Sequence, residues 1–557
     1  MDFFLITPRN ERPLKAVVKG LPRTTLFTEI EQELSALKFT KPKMFNESKM
    51  NDAREHLCDS SVWESTVACY VRMMQVESKA YLNGKVIVEI EKDLTTEAIC
   101  MISVILCFAL LVVIGSSISL YELFFKTKSA GKHSGETTKE VKTGKQKSKA
   151  GLENWSLFFK CFCGITNARK LLSLSSGEGQ FGCINGMRFL SNCSVVAMHI
   201  CIVYFYVLRN LEELQPVMKS GTARFIANHI VTVDAFFVMR LTPVYMAVLG
   251  IYTFLFPYMG SGPLWPTYCT HPACEKNGWY NLLYINNFVI AEKQCLGWCW
   301  YLAVDMQFYI ISPLFMILLQ RSSRFGYSLI GVVTFASCLA NFVITNQNNL
   351  LDGTARFCQH LMDPSYIDRF FRYFNLVYQK PYTRIPPYLI GIALGYYFYT
   401  RRENKDRKNS LMFLRFGWFV TALMMGFCYL GLYSVEESAI ESAVYNGLKH
   451  LFFPCGLAWI MFLCISGQGG LINRFLSCRV FLPLARLSYC AYLIHFLFLL
   501  RYFRSLTEMQ DHSELLFLSI YTRILLYTYV TSFFASLLFE IPILNLLDVY
   551  KKNRMLR

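Results

Sequence analysis

The chain predicts an all-α integral membrane protein, a multi-helix bundle of about 10–11 membrane segments with a short lumenal N-terminal segment. Three observations predict it. Of 557 residues, 54% are hydrophobic and only 17% charged, whereas soluble domains carry about a quarter charged residues. Mean hydropathy is +0.31, and many apolar runs reach the ~18 residues that argue a membrane helix. The net charge of +17 sits in Lys/Arg clusters that recur at alternate loops. This is what orientation in a membrane requires, and it excludes nucleic acid as the expected partner.

Residues 1–97 are polar and weakly patterned, and no cleavable signal peptide is visible: the apolar run at Met1–Pro8 is too short and lacks a basic start. Asn46-Glu-Ser48 is a glycosylation sequon if this segment is lumenal. Residues 98–121 form a membrane anchor helix behind an acidic flank of Glu89, Glu91, Asp93 and Glu97. A basic cytosolic linker, 122–182, follows. Lys126–Lys149 holds eight lysines against Glu136 and Glu140 and is rich in Gly, Ser and Thr. A membrane domain spans 183–550, with spans expected near Arg188–Leu208, Trp298–Leu319, Gly326–Thr345, Tyr382–Tyr399, Leu411–Tyr433, Leu451–Ser466, Leu482–Leu500 and Leu516–Leu538. The tail, 551–557, is basic and cytosolic.

The region Phe225–Tyr258 is apolar but irregular. Loop parity demands an even number of crossings, yet its 34 residues are fewer than the roughly 40 that two spans need. A hairpin or re-entrant pair turning at Met239–Pro243 is expected, which is tolerated only inside protein or beside water. Cys58, Cys69, Cys269, Cys274, Cys295 and Cys358 fall in segments expected to be lumenal, where disulfides persist. Cys269-Thr-His-Pro-Ala-Cys274 reads as a metal site or a disulfide loop, and the compartment favours the disulfide.

Several polar residues lie inside the spans, where burial is costly and usually marks function. Arg188 and His199 are eleven residues apart, roughly 16 Å along one side of a helix. This places the cation near one membrane face and the imidazole near mid-depth. Asp234, Tyr301, Asp305, Gln307, Arg384, His495 and Glu540 also fall in or beside spans. Each has a plainer reading: Arg384 snorkelling, Asp305 and His495 satisfying each other, His199 packing between helices. Together they favour a polar cavity.

These segments resemble the acyltransferase 3 family, in its animal branch typified by nose resistant to fluoxetine proteins. The resemblance is carried, in order over about 183–550, by Ile184-Asn-Gly-Met-Arg188 to His199, Val233-Asp-Ala-Phe-Phe237, Arg240-Leu-Thr-Pro-Val-Tyr245, Gly260–Trp265, Cys295 to Tyr309, Pro381–Gly391, Leu487–His495 and Phe539-Glu-Ile-Pro542. It implies acyl transfer from a thioester donor to a hydroxyl of a lipid, sugar or small molecule, with acyl-CoA as co-substrate and no bound cofactor or metal. Under it, His199 is the general base, with Arg188 and Asp234 as its catalytic companions. Tyr301, Asp305, Gln307, Arg384 and His495 would bind substrate. Arg188 at the cytosolic end suits the phosphates of the donor. Membrane lipids are the expected partners, and the endoplasmic reticulum or plasma membrane the expected location. Two departures stand out: the lumenal N-terminal module is short, and a helix-loop unit after Phe237 is compressed. A non-catalytic lipid or xenobiotic transport or uptake factor on the same fold is the alternative reading, and a structural or regulatory relative a third.

Overall fold

The first long helix shows how the chain builds membrane-spanning elements. α1, Thr96–Ala130, starts where the Thr95 hydroxyl accepts from the Ala98 N–H at 3.3 Å, with Glu97 in the positive first turn. Such capping recurs at α7, Ser323–Gln347, and α14, Glu514–Ala535, where Ser322 and Ser513 accept from Phe325 and Leu516 N–H groups. The computed structural model describes residues 17–20, 86–89, 92–130, 155–175, 181–204, 207–208, 242–262, 265–266, 268–350, 364–401, 409–430, 438–507 and 510–555. Asp234, the expected turn from Met239 to Leu241, Cys58, Cys69, Cys358 and the Asn46 sequon lie outside these residues.

A two-stranded antiparallel ribbon pairs β1, Val17–Gly20, with β2, Val86–Glu89. Everything else regular is helical. After α1 come α2 (Gly164–Leu172), α3 (Gly182–Tyr204), α4 (Thr242–Gly250), α5 (Pro272–Leu282), α6 (Trp300–Arg321) and α7. Then follow α8 (Pro364–Tyr373), α9 (Pro381–Thr400), α10 (Leu411–Leu430), α11 (Ala439–Ile465), α12 (Gly470–Leu476), α13 (Phe481–Arg504), α14 and α15 (Ile541–Met555). Among the described residues, eight helices are long and apolar enough to cross a membrane. α9 and the shorter apolar helix Thr242–Tyr258 complete the set of apolar regions read from the sequence. The chain is an all-α, multi-pass membrane protein.

Two helical groups meet at a seam. α3 packs on α13 and α14, with α4 alongside; α6, α7, α9, α10 and α11 form the other group. Each group has its own apolar core, and Val195 of α3 and Tyr492 of α13 cross into the second core. At Gly186 an added Cβ would run into the Leu476 carbonyl, so α12 approaches α3 backbone to backbone.

Prolines set the α7–α9 joint. Pro386 and Pro387 cannot donate to the carbonyls four residues back, Tyr382 and Thr383. α7 supplies the missing donors: Ser337 Oγ bonds the Tyr382 carbonyl at 2.7 Å and Asn341 Nδ2 the Thr383 carbonyl at 3.1 Å. Pro313 in α6 is treated likewise, with Ser312 donating to Tyr309 at 2.8 Å.

The two ends of the molecule differ. At one end a cap over 257–299 is closed by a Cys274–Cys295 disulfide. Cys269 is a free thiol, so the Cys269–Cys274 loop is not itself bridged. The cap holds an amide network in which Gln294 Nε2 donates to Asn286 and Val289 carbonyls at 3.0 and 2.8 Å. Lys92 anchors the approach to α1 on this cap through the Pro257 carbonyl, 3.0 Å away, and that of Pro266. At the other end Arg486 clamps the C-terminus of α2, donating to Lys170, Leu171, Ser173 and Ser175 carbonyls at 2.7–3.0 Å.

Candidate active site

α3 is one unbroken helix, so Arg188 and His199 do lie on a shared side, roughly 16 Å apart. Along the described helix His199 lies ~26 Å from Gly182 and ~8 Å from Tyr204, toward the disulfide-capped end. That end is fixed by antiparallel packing: Tyr204 meets Phe503 at 6.4 Å between ring centroids, and Phe189 meets Phe481 at 5.4 Å.

The central feature is a pair of imidazoles. His199 Nδ1 is 2.8 Å from His495 Nε2, and the rings stack at 5.0 Å. His495 Nδ1 is 2.6 Å from the Tyr492 carbonyl of its own helix. A carbonyl only accepts, so His495 carries its proton on Nδ1. Its Nε2 is then an acceptor, and neutral His199 must donate from Nδ1. The lone pair of His199 Nε2 is left outward. His495 is 1% exposed while His199 keeps partial accessibility, so Nε2 is the atom presented to the interior space. The sequence allowed His495 to pair with Asp305; it pairs with His199.

A wall of rings holds this pair. Phe496 lies edge-on to His199 at 5.3 Å and stacks on Trp298 at 4.4 Å, whose Nε1 donates to Leu493 at 3.3 Å. Tyr492 also donates to the Trp298 carbonyl. Tyr492 was not read from the sequence as a site residue. Its place three residues before His495, one turn away, is the signal that could have found it.

A second group of candidates converges across the seam. Tyr301, Asp305 and Arg384 line one small pocket with Trp300, Val304, Phe308 and Pro387. Asp305 is 9% exposed and makes no hydrogen bond or ion pair among the described residues. The Arg384 guanidinium lies 4.3 Å from the Tyr378 ring centroid and 5.3 Å from that of Trp300. Its Nε donates to the Tyr378 carbonyl at 2.8 Å, and Nη1 is 3.2 Å from His450 Nδ1. Behind it lies a buried group the sequence did not single out: Lys449 donates to Tyr373 and Asn446 at 3.0 and 2.6 Å.

Tyr301 joins the two groups. Its ring lies 6.2 Å from that of Tyr492, while its own side chain lines the pocket with Asp305 and Arg384. Arg188 itself makes no hydrogen bond or ion pair among the described residues, which leaves its guanidinium available. Gln307 points away from this centre. Its amide is taken up by the Tyr284 carbonyl at 2.9 Å and by Asn287 at 2.9 and 3.2 Å, so it holds the cap. Glu540 accepts from Ser536 at 2.7 Å and from the Cys490 thiol at 3.1 Å. Among the described residues no cluster of His, Cys, Asp and Glu could hold a metal ion.

The chain is 28% identical to nose resistant to fluoxetine protein 6 of Caenorhabditis elegans over 455 residues, 70% of this chain and 54% of that protein. It is 25% identical to regulator of hypoxia-inducible factor 1 of the same organism over 261 residues, 43% of this chain and 50% of that protein. The chain thus spans about half the length of the curated relatives it matches. No solved structure matches it. A family model described as an acyltransferase domain matches residues 181–540, which takes in the imidazole pair, Arg188 and the Asp305 pocket. The chain belongs to the acyltransferase 3 family.

Proposed function

We propose that this protein is an integral-membrane O-acyltransferase, moving an acyl group from an acyl-CoA-like donor to a hydroxyl of a lipid, sugar or small molecule. The observation that carries the reading is the imidazole pair. With His495 fixing the His199 tautomer, His199 Nε2 is a base held in one orientation. It takes the proton of the acceptor hydroxyl as the oxygen bonds to the thioester carbonyl carbon. The carbon–sulfur bond then breaks, and the same proton passes to the departing thiolate. Arg188, unpaired and about 16 Å down the helix, suits the donor phosphates. An extended pantetheine-type arm would bridge that distance. The Asp305–Arg384–Tyr301 pocket, near the disulfide-capped ends of α6 and α9, has ≈10 Å³ of free volume and suits a single hydroxyl group of the acceptor. A disulfide at that end argues for an oxidising compartment, so the donor approaches from the cytosol and the acceptor from the other side. The endoplasmic reticulum and the plasma membrane both meet that condition.

The test is purified protein incubated with labelled acyl-CoA and membrane lipids. Label should move to a hydroxyl-bearing product, and His199→Ala should lower the rate by ~10²–10⁴-fold. Transfer that is intact in His199→Ala would remove the base assignment. No transfer by the wild-type chain, together with lipid movement between vesicles, would favour the transport reading.

A further inference from the structure

A cavity of ≈160 Å³ runs between α4, α13 and α14, and its α13 wall lies about a third of a turn round the helix from His495. Val248, Ile251, Phe256, Leu497 and Ala535 are among its walls, and the stem of Arg501 closes one end. All the surface it presents is apolar. A void of this size and character stays dry, so water does not fill it. Its cause is local. Ile251–Leu255 and Ser536–Glu540 are both π-helical turns, and each contributes to the lining. A π turn inserts a residue and throws the side-chain rows out of step, so facing ridges do not close.

The cavity is elongated. Ile494 to Arg501 covers ~10 Å of α13, and Val244 to Phe256 runs roughly 18 Å beside it. Arg501 is exposed, and its side chain makes no hydrogen bond or ion pair among the described residues. Its apolar stem lies along the cavity while its charge sits at the rim, as snorkelling residues do. The neighbouring face of α14 presents Leu526, Val530 and Phe534 outward, so the groove opens toward hydrocarbon.

We infer that this groove holds one hydrocarbon chain of a membrane phospholipid, whose anionic headgroup is carried by Arg501. The site is separate from the acyl-transfer centre and does not depend on catalysis. The full chain is reconstituted in phosphatidylcholine nanodiscs with a minor fraction of phosphatidylglycerol, then released for native mass spectrometry. The wild-type protein should retain phosphatidylglycerol above its bulk fraction. Ala535→Trp, which fills the groove, should lose one retained lipid per chain. Arg501→Gln, an exposed change that leaves the fold intact, should lose the enrichment. Retention in bulk proportion by the wild-type chain would mean annular lipid only and would overturn the inference. So would an enrichment that persists in both variants. If only Arg501→Gln responds while Ala535→Trp remains folded by circular dichroism, the rim binds headgroups and the groove assignment fails.

Discussion

In the proposed reaction His495 acts through His199, and this would separate it from a substrate-binding residue. Its Nε2 is an acceptor only because Nδ1 is committed to the Tyr492 carbonyl. Replacing it with Phe keeps a ring against Phe496 but removes that acceptor, so His199 is free to take the other tautomer. His495→Phe should therefore lower kcat by roughly ten- to a hundredfold, less than loss of His199 itself, with KM near the wild-type value. His495→Gln, whose amide oxygen can accept, should recover part of the rate. A raised KM with unchanged kcat would instead make His495 a substrate contact. The identities of both histidines were legible in the sequence, because ionisable side chains in apolar runs stand out. Their pairing was not: they are 296 residues apart, and no local pattern reports which two helices face each other. Gln307 shows the converse, since a polar residue two positions from Asp305 serves the cap instead of the pocket.

At the level of elements, hydropathy located the spans but not all their ends. α11 begins at Ala439, twelve residues before the apolar run at Leu451. Lys449 and His450 interrupt the hydropathy pattern, yet both are buried, at 1% and 0% exposure, in a polar interior. The α7–α9 joint makes a prediction of its own. Ser337→Ala leaves the Tyr382 carbonyl without a donor and should cost ~1–3 kcal/mol. In a Pro386→Ala background the backbone N–H is restored, so the same change should cost measurably less in a double-mutant cycle. Lys92 gives a pH dependence. Burial beneath the cap pushes its ammonium down to about 8 from the usual 10.5, with Cys269 raising it and Arg504 lowering it further. The folded chain then sheds this proton first, and the unfolded chain binds more protons between about pH 8 and 10.5. Stability should rise with pH across that window and be level above it. Lys92→Met should flatten that rise in thermal unfolding curves.

For the whole molecule, the all-α membrane class followed from composition and run length alone. The seam between two helical groups did not, because a bundle's helix neighbours are set by packing at long range. The Cys274–Cys295 bridge closes the cap that covers the seam at one end, with a sequence separation of 21. Cys274→Ser should cost ~3 kcal/mol by freeing that loop in the unfolded chain. Thermal inactivation with and without reductant checks this, since the variant should be insensitive to reductant while the wild type is not. The proline pair in α9 also has a consequence for descent. A lineage that replaces Pro386 no longer needs the hydroxyl at 337 and can drift there without harm. One that keeps the proline while losing the serine must recruit a donor from another helix. Ancestry at these two positions should therefore be correlated, although they lie on different helices and neither touches the chemistry.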